Sequence, residues 1–169
     1  MDISIKSIAL FMAVLLTGLS AGLFYAWSVS VIPGTRKLAD VTYLESMQSI
    51  NRAILNPAFF LIFFGSLLML IISCVKQFQS GATYWLLLAA TLIYLAGTLG
   101  VTAFGNVPLN DTLDPIKLSG MSPAQLAEFR QHYESKWNRL HMIRTVFAVL
   151  SFVLSLLAVF SFTKSPQSL

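Results

Sequence analysis

Residues 134–155, ESKWNRLHMIRTVFAVLSFVLS, form a charged and aromatic approach that leads directly into an apolar stretch. On one α-helix, residues spaced alternately by three and four lie on a single face. That spacing is kept by Glu134, Trp137, His141, Arg144, Ala148, Ser151 and Ser155. Leucine, valine and phenylalanine fill most of the other positions after Arg144. The stretch therefore predicts a helix that enters a membrane with one polar face, for which the rest of the chain must supply partners.

Composition indicates that the whole chain is a membrane protein. Of its 169 residues, 56% are hydrophobic and 11% are charged, whereas soluble domains carry roughly 25% charged residues. A membrane-spanning helix needs about 20 mostly apolar residues. Four stretches qualify, at residues 8–32, 57–75, 83–104 and 140–162. The sequence predicts an all-α fold, with residues 1–169 forming one integral membrane domain built as a bundle of four transmembrane helices.

The first span raises the question of a signal peptide. Lys6 precedes it and small residues follow, but the apolar stretch continues well beyond a typical signal core of about 7–15 residues. A membrane helix is the favoured interpretation and a cleaved signal the alternative. Tyr25 and Trp27 are expected to be membrane-interface residues, and Pro33-Gly34 is expected to end the helix.

Three further features limit the partners of the chain. Gly18 and Gly22 have the spacing of a helix-packing motif, which favours packing inside the bundle over a homo-oligomer formed through this face. The one cysteine, Cys74, permits no intrachain disulfide. The net charge of +4 is scattered along the chain, so no nucleic-acid partner is expected. The expected partners are the lipid bilayer and a lipophilic small molecule.

Two polar segments outside the spans are predicted to be helical. Residues 39–56 keep a helical period of apolar positions and predict a short amphipathic helix before the second span. Asn51 lies on or beside its apolar face, which favours a role in a site or a polar network. Asn56 precedes Pro57 and is either the N-cap of the second span or a site residue. Ser122-Pro123 predicts the start of a polar helix that leads into the fourth span.

The third span is predicted to end at Phe104 and to be followed by a turn. Asn106 and Asn110 flank Pro108, and asparagine beside proline is typical of turns in which the side chain bonds to the backbone. A role for the two asparagines in a site is the alternative. Residues 111–121 are predicted to be a loop.

With four spans, the long polar segments 33–56 and 105–139 lie on the same side of the membrane. They bring eight polar or aromatic candidates to one end of the bundle: Asn51, Asn56, Asn106, Asn110, Glu134, Trp137, His141 and Arg144. Seven lysines and arginines lie on this side and three on the other. The positive-inside rule therefore predicts that the long segments are cytoplasmic.

Arg144 and His141 are the two candidates with the most reactive side chains. A charge within a span normally has a partner or a function, although a long side chain near a helix end can also reach out to the interface. Burial and a neighbouring guanidinium favour a neutral imidazole, which can act as a general base. Arginine and asparagine side chains could stabilise the resulting anion. A buried histidine whose hydrogen bonds are satisfied within the core is the alternative.

No pattern typical of a metal site is present. His132 and His141 are nine residues apart, which places them on opposite sides of a continuous helix. Glu134 is two turns from His141. The sequence therefore predicts no metal site, and it gives still less support to a haem with His141 as its single axial ligand. It also lacks the patterns of hydrolases and phosphoryl-transfer enzymes.

Three motifs carry a family resemblance. MQSINRAILNPAF (residues 47–59), GNVPLN (105–110) and W-x-x-x-H-x-x-R (137–144) resemble the anthrone oxygenase-like family, which consists of small four-helix membrane proteins that are mostly bacterial. The resemblance covers nearly the whole chain. It implies a place in the bacterial cytoplasmic membrane and, from the characterised members, oxidation of anthrones by O2 without flavin or haem.

The resemblance suggests roles for the candidate residues. His141 would be the base, Arg144 would stabilise the anion, and Trp137 would complete the catalytic group. Asn51, Asn56, Asn106, Asn110 and Glu134 would bind the substrate. The first hypothesis is thus a cofactor-independent oxygenase of a lipophilic aromatic or quinol-like compound. The second is a non-catalytic membrane protein that holds a lipid or quinone, or that supports a partner complex.

Overall fold

The structure is a computed structural model that describes residues 4–164, and this part of the chain folds into five helices without strands. The helices are α1 (Ile5–Thr35), α2 (Asp40–Ala53), α3 (Pro57–Lys76), α4 (Ala82–Leu113) and α5 (Pro123–Lys164). All except α2 are long and apolar enough to cross a membrane. The predicted all-α fold with four spans is confirmed, and the polar helix before the fourth span is continuous with it.

Side-chain caps start the helices where the sequence predicts. The Asn56 side chain accepts a hydrogen bond of 3.0 Å from the backbone N–H of Phe59, and Pro57 occupies the first position of α3. At the start of α5, the Ser122 backbone N–H donates to the Gln125 side chain at 2.8 Å, and the Gln125 N–H donates back to the serine hydroxyl at 3.4 Å. These bonds satisfy backbone groups that a helix start otherwise leaves unpaired.

Two predicted helix ends are wrong. α1 continues through Pro33-Gly34 to Thr35, and α4 continues past Phe104 to Leu113. A proline inside an α-helix clashes with the carbonyl group four residues earlier. In both helices a wider π-helical turn, Trp27–Val31 or Thr102–Asn106, ends two residues before the proline and contains that carbonyl. The π-helical turn therefore allows the helix to pass the proline instead of ending there.

The bundle is held by contacts of α1 with α3, of α4 with α5 and of α1 with α5. Close approach occurs at glycines: a Cβ atom at Gly97 would lie 2.0 Å from the Phe147 ring, and one at Gly18 would lie 3.0 Å from Phe152. Gly18 thus packs inside the bundle, whereas a Cβ atom at Gly22 would meet no atom within 4 Å. Ala148, Ser151 and Ser155 are fully buried, so the lower half of the α5 stripe is a packing surface.

Helix α2 lies across one end of the bundle and is fastened to it by Arg130 of α5. The Arg130 guanidinium donates to Asp40 at 3.0 Å, to Glu134 at 2.9 Å and to two backbone carbonyl groups, those of residues 36 and 38. It also lies over the Tyr43 ring, 4.4 Å from the centroid. Burial raises the pKa of Tyr43 above its usual range, so its hydroxyl stays neutral. Glu134 is therefore part of this fastening.

Candidate functional site

A cavity of about 200 Å³ lies beneath α2, at the end of the bundle where the predicted site residues meet. Its floor consists of buried side chains and its rim of exposed ones. The floor contains Phe24, Thr102, Trp137, His141 and Arg144. The rim contains Arg52, Leu55, Val107, Asp111 and Asp114. Polar groups thus converge in a mostly apolar pocket, as is typical of sites for small molecules.

Arg144 is a buried cation at the floor of this cavity. The residue is only 8% exposed. Its guanidinium carbon lies over the faces of Phe24 and Trp137, 4.8 Å and 5.1 Å from the ring centroids. Its hydrogen-bond partners are neutral, namely His141 and the Thr102 hydroxyl at 3.4 Å. Within residues 4–164 it forms no ion pair. Arg144 therefore does not reach out to the interface, and its charge is available to an anion in the cavity.

The hydrogen bonds of His141 define its tautomer. Arg144 can only donate, and its Nε and Nη2 atoms lie 3.2 Å and 3.0 Å from His141 Nδ1, so Nδ1 carries no proton. The Nε2–H group faces the Phe24 carbonyl oxygen at 3.2 Å, with the Ser28 and Thr145 hydroxyls at 3.0 Å and 3.3 Å. The imidazole is neutral and stacks on Trp137 at 5.1 Å between centroids. Its basic nitrogen is turned towards Arg144.

A second network fixes the side chain of Asn110 at the cavity wall. The Trp137 indole N–H and the Tyr133 hydroxyl both donate to Asn110 Oδ1, at 2.9 Å and 3.1 Å. Asn51, from α2, donates to the Tyr133 hydroxyl at 3.1 Å. Because both donors require the oxygen of Asn110, its amide NH2 group points elsewhere, and it has no hydrogen bond to another residue of the described range 4–164. Asn51 and Asn110 both line the cavity, and substrate binding by them stays a prediction.

Asn56, Asn106 and Glu134 are not among the residues that line the cavity. Asn56 caps α3, and its NH2 group donates to the Ala53 carbonyl at 2.9 Å. Asn106 is buried and donates to the Trp137 carbonyl at 3.2 Å, while its own side-chain oxygen has no partner in the described part of the chain. Their positions give all three residues structural roles around the site. Substrate binding by them stays a prediction.

Helix α1 supplies site residues that the sequence analysis missed. Phe24 lies under Arg144, and Ser28 lies beside His141. Trp27, expected at the membrane interface, lines the cavity instead, with its ring 5.8 Å from that of Trp137. The signal was present in the sequence, since Thr17, Ser20, Phe24 and Ser28 follow a helical spacing. Thr17 and Ser20 are buried on the same face.

The described residues, 4–164, contain no group of three or more histidine, cysteine, aspartate or glutamate side chains placed to hold a metal ion. His141 has both ring nitrogens in hydrogen bonds. The chemistry that these residues offer is therefore that of a charged donor, a fixed amide donor, a neutral imidazole and aromatic walls.

Fold and site together define a four-helix membrane protein with a cationic, aromatic-lined cavity at one end of its bundle. The sequence profile of the anthrone oxygenase family matches residues 47–154, well over half of the chain. The chain belongs to the anthrone oxygenase family. Comparison with curated proteins and with solved structures gives no match.

Proposed function

We propose that the protein uses O2, without a cofactor, to oxidise a lipophilic aromatic or quinol-like compound bound above Arg144 and His141. The observation that carries this proposal is the Arg144 cation, which has no ion pair in the described part of the chain and lies beside a neutral imidazole at the floor of a cavity with aromatic walls. Electron-rich anthrones and hydroquinones become much stronger reductants when they lose a proton. A protein that removes the proton and stabilises the anion can therefore promote the reaction with O2.

The reaction balances for an anthrone. A proton leaves the ring methylene carbon, or the hydroxyl of the enol tautomer, and the anion gives one electron to O2. The resulting radical and superoxide combine into a carbon-bound peroxide. The proton taken in the first step returns to the outer oxygen of the peroxide. Loss of the second methylene proton then breaks the O–O bond, the hydroxide that leaves takes up that proton and becomes water, and a carbonyl group remains. The substrate loses two hydrogens and gains one oxygen atom, while the second oxygen atom of O2 becomes water.

His141 requires a change of partner before it can accept the proton, because Nδ1 accepts from Arg144 in the resting arrangement. A substrate oxygen that takes over the Arg144 N–H groups would free Nδ1. The Asn110 NH2 group is a second donor for a substrate oxygen, and Trp137 would hold the imidazole in plane by stacking. Binding and activation of the base are thus coupled through Arg144.

The hydrogen bonding of Arg144 to His141 Nδ1 also supports a second candidate function. If Arg144 keeps Nδ1 occupied with a ligand present, the site has no base and would only hold a lipid or quinone, alone or within a larger complex. The two candidates share the cavity and the cation. They differ in whether the imidazole ever takes a proton.

The test is O2 uptake in liposomes with a dihydroxyanthrone or a hydroquinone, measured against protein-free vesicles. His141→Gln and Arg144→Gln retain polarity and approximate size. Each is expected to lower the protein-dependent rate by about a hundredfold or more, as expected for loss of a base or of an anion-stabilising donor. His132→Gln and Arg139→Gln, at exposed positions of the same helix, are matched controls and should keep the wild-type rate.

Two results would count against the enzyme. Unchanged rates in both site variants would remove His141 and Arg144 from the mechanism. Saturable binding of the ring compound to the wild-type protein with no O2 uptake above protein-free vesicles would favour the non-catalytic function.

A further inference from the structure

The side of the cavity towards the membrane surface lies under α2, with the exposed, charged Arg52, Asp111 and Asp114 at the rim. Helix α2 covers it and is tied down at both ends, by Arg130 at its start and by a second set of bonds near its end. In that second set, Gln48 donates to the carbonyl groups of Leu113 and Ile116 at 2.9 Å and 3.0 Å. Arg52 forms a 2.6 Å ion pair with Asp114. These bonds join α2 to the end of α4 and to the segment that follows it, so a ligand entering from water would have to pass a fastened helix or the charged rim.

The side of the cavity between α3 and α4 is different. The two helices are joined by a short connection and pack together at that end, through Ala82–Ile93 of α4. Packing of α3 against Tyr94–Gly100 is much sparser, and beyond it the two helices hardly touch. The cavity lies in this gap, with Leu55 and Phe59 from the α3 side and Thr102 and Val107 from α4 in its wall.

The rim of the gap is apolar on the side towards the hydrocarbon. Leu55 is 63% exposed and Val107 is 40% exposed, and both also line the cavity. One turn further into the bilayer along α4, the Phe104 side chain points out at 87% exposure. The charged rim residues Arg52 and Asp114 lie on the side towards the α2 end. The gap thus spans the boundary between lipid tails and headgroups, where flat amphipathic rings concentrate.

We propose that the cavity opens sideways into the bilayer through this gap, here called the portal and defined by Leu55, Phe59 and Val107. Its ligand is inferred to be a ring compound with polar oxygens that is dissolved in the membrane and enters at the interface. The oxygens would meet the N–H groups of Arg144 and Asn110, while the apolar part keeps contact with the lipid-side rim. The ring chemistry follows the proposed function, but the route of entry does not require turnover.

The route can be measured by binding alone. Quinones quench tryptophan fluorescence, and Trp27 and Trp137 line the cavity. The Trp85→Phe protein, which lacks the third, exposed tryptophan, is placed in liposomes and mixed by stopped flow with ethyl-, butyl- or hexyl-benzoquinone. Each added methylene raises partitioning into the bilayer roughly fourfold. If entry is from the bilayer, the saturable association rate per aqueous concentration should rise more than about tenfold from ethyl to hexyl.

A steric variant tests the portal itself. Val107→Phe places a larger side chain at the rim and narrows the portal. It is expected to slow association of the hexyl homologue several-fold. Val153→Phe makes the same substitution at a membrane-facing position of similar exposure, 43%, remote from the cavity, and should leave the rate unchanged. The measurements with ethyl-, butyl- and hexyl-benzoquinone use the Trp85→Phe protein, which keeps Val107. They therefore do not depend on the folding of either phenylalanine variant.

Three results would overturn the portal. The association rate per aqueous concentration could be independent of chain length, Val107→Phe and Val153→Phe could behave alike, or no homologue could give saturable quenching. A protein that passes these tests but consumes no O2 would keep the portal and lose the oxygenase function, so the two proposals fail separately.

Discussion

The contacts of Arg144 suit the binding of a ligand better than they suit the stability of the fold. A charge in the membrane interior costs roughly 2.5–3.5 kcal/mol on insertion scales. Its described partners, an imidazole, a hydroxyl and two aromatic faces, are all neutral. By contrast, Arg130 on the same helix has two carboxylates and two carbonyl oxygens within hydrogen-bonding distance. The same residue type thus has a structural function at one position and, at the other, a charge that lacks an ion pair among residues 4–164.

This contrast gives the first prediction. Arg144→Met removes the buried charge while keeping an apolar side chain of similar length, and replacement of buried charges by apolar groups is often neutral or stabilising. We expect the thermal midpoint of unfolding in detergent to equal or exceed that of the wild type, while ring-compound binding is lost. Arg130→Met is the matched variant and should lower the midpoint, because it removes the partner of Asp40 and leaves Glu134 with only the longer, 3.9 Å contact to Arg36. A large loss of stability in Arg144→Met would identify Arg144 as a structural residue.

At the same scale, the sequence predicted part of the site for a physical reason. Trp137, His141 and Arg144 could be grouped because one helix carries them at helical spacing and a charge inside a span is costly. The network through Asn51, Tyr133 and Asn110 could not be derived, since it joins α2, α5 and α4 through side-chain bonds. Asn106 does not line the cavity, and its bond to the Trp137 carbonyl depends on the π-helical turn Thr102–Asn106, which sequence spacing does not predict.

At the scale of the elements, the π-helical turns explain what sequence rules missed. Proline at 33 and at 108 predicted helix ends, yet both prolines follow a π-helical turn and both helices continue. π-Helical turns occur frequently at functional sites. Here the turns of α1 and α4 contain Trp27, Ser28 and Thr102, all of which reach the cavity or His141. A pattern based on 3.6 residues per turn does not predict the faces of residues beyond such a turn.

The contact between α4 and α5 gives a second prediction, which belongs to the scale of the elements. Gly97 lies in a π-helical turn of α4, and a Cβ atom there would overlap the Phe147 ring at 2.0 Å. Gly97→Ala should therefore destabilise the protein by about 1–3 kcal/mol, as overpacking does, with a lower thermal midpoint in detergent. Gly22→Ala is the control, because open space surrounds that position and alanine favours helix.

A double variant can show whether the destabilisation by Gly97→Ala comes from the contact with Phe147. Phe147→Ala combined with Gly97→Ala removes the overlapping ring, so the pair should be less destabilising than the sum of the two single variants. Additive losses would place the effect of Gly97→Ala elsewhere.

If Gly22→Ala changes the mass of the particle in detergent, that face contributes to a homo-oligomer.

At the scale of the whole molecule, the four spans were predictable because bilayer thickness sets the length of apolar stretches. The cavity was not, because it results from the divergence of α3 and α4 below a covering α2. Divergence depends on where small and large side chains meet across helices, as at Gly97 and Phe147. Sequence spacing describes each helix singly and contains no measure of that angle.

Orientation is the prediction that belongs to the whole molecule. The end that carries α2 and the cavity has seven lysines and arginines in its two long segments, and the other end has three. The positive-inside rule predicts that the α2 end faces the cytoplasm. A membrane-impermeant maleimide should then label Ser80→Cys, in the short connection between α3 and α4, in intact bacterial cells expressing the chain. Ser119→Cys, in the exposed segment between α4 and α5, should be labelled only after the cells are opened.

The native cysteine does not interfere with this measurement, because Cys74 is buried, and Cys74→Ser removes it altogether. Positive charges that are kept for structural reasons do not report on orientation. Arg52 and Arg130 are of this kind, because their ion pairs would place them at this end in either orientation. Leaving those two out, the α2 end still has five positive charges against three, so the predicted direction is unchanged. Labelling of Ser119→Cys in intact cells would reverse it. The portal would then open into the outer leaflet, and the ligand would have to be supplied from the outer half of the bilayer.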